Sequence, residues 1–219
     1  VPLLRSPDIH VRQEARRVIS GRKELKEEMV RLFRELIAED DVSEANGHLI
    51  EEIVMANAQD AAFQSVLIET LKTGGVKTEN RAQVLGALSF LDDLPGPLRD
   101  GVLLGLNSGV SELKEEALNI AQRFKMSPPI LDAVSSLAKN ENEQPSSRAS
   151  AIQVLVNHQK PLSDTLLAFL RDLVTDENAP VLLGRQGAQA LGSLRLQSLG
   201  KTQSDAMIRA VAKARSVHL

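Results

Sequence analysis

Apolar residues recur along this chain at intervals of three and four, in stretches of 11 to 16 residues separated by short polar, Gly- or Pro-bearing breaks. In 23–38, Leu25, Met29, Leu32, Phe33, Leu36 and Ile37 follow one face of a helix, and Glu24, Glu27, Glu28, Arg31, Arg34 and Glu35 occupy the other. Leu166, Leu167, Leu170, Leu173 and Val174 repeat the pattern in 163–175. The same reading predicts twelve helices, at 8–20, 23–38, 44–57, 60–73, 79–91, 96–106, 111–124, 128–139, 146–158, 163–175, 181–194 and 203–216. No segment alternates apolar and polar residues as a half-buried strand does, so the predicted class is all-α.

The breaks carry helix-ending chemistry: Ser20-Gly21, Gly74-Gly75, Pro95-Gly96-Pro97, Ser108-Gly109, Ser127-Pro128-Pro129, Pro145 and Pro161. Ser43, Thr78, Ser111, Ser127 and Ser163 precede the predicted starts and are candidate N-caps.

The helices pair into six units of similar length, about 8–38, 44–73, 79–106, 111–139, 146–175 and 181–216, read as one domain over 1–219. A finer ruler runs through the first helices. A basic residue is followed three positions on by a small or β-branched one and six on by an apolar one: Arg12, Ala15, Val18; Arg81, Val84, Ala87; Lys114, Ala117, Ile120; Arg148, Ala151, Val154; Arg185, Ala188, Leu191. From Arg81 onward the basic residue recurs after 33, 34 and 37 residues. The second unit departs from it, with His48 in the basic slot and Glu51 in the small one. The small residue lets neighbouring helices approach, and the apolar one enters the shared core.

The segments VRQEARRVI, NRAQVLGAL, LKEEALNIA, SRASAIQVL and GRQGAQALGSL resemble the first helices of HEAT-like repeats, over about residues 8–216. Tetratricopeptide repeats have a similar period but carry large aromatics, and this chain has no Trp and no Tyr. The resemblance implies a right-handed α-solenoid of about six antiparallel helix pairs, a curved superhelix whose second helices line a concave surface. It implies a non-enzymatic scaffold for protein–protein interaction, without cofactor. The same superfamily includes DNA-repair glycosylases and lyase-type chaperones for chromophores, which form the alternative reading.

Composition narrows the chemistry. With no Cys, thiolate metal sites, disulfides and a cysteine nucleophile are excluded. No catalytic serine motif or glycine-rich phosphate loop occurs. His48, Glu51 and Glu52 share a helix face at metal-ligand spacing, but the other histidines, His10, His158 and His218, fall in distant units, so a solvated acidic face is preferred and no metal is assigned. Gly184, Gly187 and Gly192 are assigned to close helix packing. No apolar run is long enough to span a membrane. The chain opens on Val1, as a processed form or a fragment would, and VPLLRSPDIH lacks a signal peptide's apolar core. A soluble protein, of cytoplasm or periplasm, is expected.

Charge is uneven. Basic and acidic residues number 9 and 6 over 1–38, 2 and 9 over 39–80, 10 and 13 over 81–194, and 5 and 1 over 195–219. The basic ends are read as solvated caps rather than nucleic-acid sites, since charge runs usually face solvent and the stacking aromatics Trp and Tyr are missing. A protein partner is expected, on the outward charges of the second helices, Arg31, Arg34, Glu69 and Lys72, and on the acidic stretch through Glu44, Glu51 and Glu52, which favours a basic partner surface.

If each unit leans only on its neighbours, a chain ending after Val174 keeps a helical far-ultraviolet circular dichroism spectrum and melts at lower temperature. Loss of all helical signal would mark instead a single bundle held by long-range contacts.

Overall fold

A computed structural model describes residues 26–39, 44–176 and 178–194, together with Leu3, Ser6, Asp8, His10, Val11, Glu14, Ala15 and Val18; of Glu44 and Ala45 it describes the backbone. The described residues form ten α-helices and no strand. In chain order they are α1 (Lys26–Ala38), α2 (Glu44–Asn57), α3 (Ala61–Lys72), α4 (Thr78–Leu88), α5 (Leu98–Leu106), α6 (Ser111–Arg123), α7 (Pro128–Lys139), α8 (Pro145–Asn157), α9 (Asp164–Thr175) and α10 (Val181–Gly192). The all-α prediction holds. The helix expected at 203–216 and Arg12 of the ruler lie outside the described residues, as do most positions of 8–20.

The chain divides after Phe124 into two units. In the first, α2, α4 and α6 pack in succession, each on the next but one in sequence. Helix α3 lies on α4 and α5, and α5 packs on α6 far more extensively than on α4. Helix α1 packs on α2, and its Phe33 meets Phe63 of α3 edge to face, with ring centroids 5.2 Å apart at 67°. In the second unit, α8 packs on α7 and α10, and α9 on α10. Helices adjacent in sequence also pack closely at three places, α5 on α6 in the first unit and α7 on α8 and α9 on α10 in the second.

The ruler has a physical basis. Val84, Ala117 and Ala151 are fully buried, as are Ala87, Ile120 and Val154 six residues after the basic position. In α10, Leu191 is buried, while Ala188 is half-buried and Arg185 exposed. In α2 the buried residues Ile50 and Ile53 occupy the small and apolar positions, which puts Gly47, 34 residues before Arg81, in the basic slot. His48 is exposed and Glu51 half-buried, because the alternative register would drive the Glu51 carboxylate into a helix contact. Arg148 shows what the basic residue can do. Its Nε donates to the Ala138 carbonyl at the end of α7 at 3.2 Å, and its guanidinium sits 4.1 Å from the Phe169 ring centroid. A cation there satisfies an orphan carbonyl and meets the negative end of the helix dipole.

Close approach depends on two glycines. A Cβ on Gly105 would lie 2.9 Å from Ala117 Cβ, 2.9 Å from Leu85 Cδ1 and 3.0 Å from the Leu113 carbonyl, so α5 reaches α4 and α6 only without a side chain there. Gly187 lies somewhat less tightly against α9, where a Cβ would meet Val174 Cγ2 at 3.1 Å. Gly192 has nothing near it, so packing does not account for that glycine.

Two of the expected N-caps are as placed, and two lie one residue inside the helix. Ser163 accepts a hydrogen bond from the Leu166 amide at 3.4 Å, and Ser127 is the cap residue of α7 without a side-chain bond. Thr78 and Ser111 instead begin α4 and α6, whose cap residues are Lys77 and Val110. Ser43 lies outside the described residues. The end of α1 is closed from a distance: buried Asn80 donates to the carbonyls of Ile37 at 2.9 Å and Glu39 at 3.4 Å.

Gly105→Ala should destabilise by about 1–3 kcal/mol, since a backbone carbonyl and two packed side chains must move, and a urea melt reads it. Glu116, set against Gly86, has its pKa raised, chiefly by burial and further by Glu115, against the opposing hydrogen bond from Asn119. A carboxyl raised on folding costs stability as pH climbs through its unfolded value toward the folded one. Glu116→Gln should therefore raise the melting temperature at pH 7 and do so less at pH 4.

Candidate functional site: a groove along α1

The stripe Met29, Leu32, Phe33, Leu36 and Ile37 fixes α1 to the core and turns its opposite face outward. There Glu27, Val30, Arg31, Arg34, Glu35 and Ala38, spaced by three, four and seven residues, line a groove of about 690 Å³. Lys26, and Asp60 and Ala62 at the start of α3, complete the lining. At a rise of 1.5 Å per residue, the face from Glu27 to Ala38 runs about 16 Å. Its floor is the apolar surface of Val30, Ala38 and Ala62, with the aliphatic stems of the two arginines beside it.

Two ion pairs tie α1 to α3 at this groove. Lys26 bonds to Asp60, and Arg34 Nη2 lies 3.4 Å from Glu69 Oε2. Arg31 stays on its own helix, pairing with Glu28 and, at 3.9 Å, with Glu35. The Arg31 and Arg34 side chains are 66% and 58% exposed, so water screens these pairs, and each is worth about 0–1 kcal/mol. Asp60 does more. It caps α3, accepting from the amides of Ala62 and Phe63 at 3.1 Å each. The Lys26 ammonium, together with these amides, lowers the Asp60 pKa.

The expected site residues fall into separate sets. Arg31 and Arg34 line the groove, and Glu69 reaches its rim through Arg34. Lys72 is exposed in the last turn of α3, where its charge suits the helix dipole, and does not line the groove. Glu51 and Glu52 are half-buried on α2, with His48 Nδ1 3.4 Å from Glu51 Oε2. Glu44 opens α2, and its side chain is outside the described residues. Among the described residues, no three His, Asp or Glu side chains form a metal site.

No protein-family model matches the chain, and no curated protein does. The groove therefore has to be read from its own chemistry. Sequence reasoning passed over Val30, Ala38, Ala62 and Asp60, and took Lys26 only as part of the basic N-terminal end. Their signal was the continuous spacing from Glu27 to Ala38 opposite the buried stripe, and an Asp immediately before Ala61-Ala62-Phe63.

Asp60→Ala should cost about 0.5–2 kcal/mol at neutral pH through loss of the cap. The carboxylate's pKa is lowered on folding, so its contribution is present above the unfolded value near 4 and is lost as pH falls below it. Wild type and Asp60→Ala should therefore converge in stability when melts at pH 7 and pH 3 are compared.

Proposed function

We propose that the protein is a non-enzymatic HEAT-like repeat scaffold, a right-handed α-solenoid of about six antiparallel helix pairs, and that it holds a protein partner along its second helices. The observation that carries this reading is the recurrence within each unit of first helix on next first helix, α2 on α4 on α6 and α8 on α10, with the apolar position of the ruler buried in all five and the position three before it buried in all but α10. Such nearest-neighbour stacking leaves a regular outer face free for contacts.

The α1 groove is the surface we assign to the partner. It joins an apolar floor to two exposed arginines, a residue type enriched where protein interfaces are strongest. The pairs Arg31 makes on its own helix are weak, so exchange for a partner's groups costs little. No helix among the described residues is long and apolar enough to cross a membrane.

A photoreactive side chain placed at position 31 should cross-link a discrete protein from the native source, and the same group at Asp93 should not. Arg31→Glu with Arg34→Glu should weaken binding of the captured protein at least tenfold, with little change in melting temperature. Reversing Glu51 and Glu52 to Lys separates the acidic stretch of α2 from the groove. Slower association of a basic partner, shrinking at high salt, would assign α2 a steering role. Duplex DNA binding with a steep salt dependence, and no protein cross-link, would overturn the scaffold reading.

A further inference from the structure

No further inference is drawn: the strongest candidate, the occupant of the groove along α1, belongs to the site already described, and with Lys26, Arg31 and Arg34 balanced on its rim by Glu27, Glu35 and Asp60, nothing in the structure shows what covers it.

Discussion

How near α5 can come to α4 and α6 is decided at one atom position. Gly105 brings its backbone within contact of Ala117, Leu85 and the Leu113 carbonyl, and no larger residue leaves that space open. The constraint follows from composition. With five Phe and no Trp or Tyr in the chain, no large aromatic can fill a wide gap between helices, so stability comes from bringing aliphatic side chains close. Fully buried Ala117, Ala121, Ala149 and Ala151 serve the same end. Among the described residues the aromatic pair is Phe33 with Phe63, which joins α1 to α3, the helices that carry the groove.

The helices were legible because amphipathic periodicity states which face is buried, and burial is what holds each helix in place. Phe33, Leu36 and Ile37 in α1 and Leu166, Leu167 and Leu170 in α9 are buried as that pattern requires. The starts were less legible. Thr78 and Ser111 have cap-type side chains, but the backbone turns helical one residue earlier than a cap would allow. Asp60 caps α3 although apolar periodicity placed it inside the helix. In α2 the ruler misread its register because Gly47 fills the slot that a basic residue holds elsewhere, and a glycine carries no pattern. The groove was legible only in part. Charge marked Arg31 and Arg34, but a cavity needs two helices, and nothing local in the sequence says that the start of α3 lies against α1.

The charged residues divide by what they touch rather than by sign. Arg148 is committed to a carbonyl and an aromatic ring, and Arg123 donates to the Ser89 carbonyl and lies over Phe124, so both hold structure together. Among the described residues, Arg31 and Arg34 pair with exposed carboxylates. The difference is one of environment: a guanidinium over a ring or on an orphan carbonyl replaces water with fixed partners, whereas an exposed ion pair competes with water at every moment.

Four polar bonds between elements of the first unit share a length scale. Lys26 with Asp60, Arg34 with Glu69 and Arg123 with Ser89 close segments of 34, 35 and 34 residues, and Asn80 with Ile37 one of 43. Closing a loop of this size costs chain entropy of about 3 kcal/mol, nearly the same at each step because the dependence on length is logarithmic. The chain thus meets a series of equal, moderate entropic barriers instead of one large one.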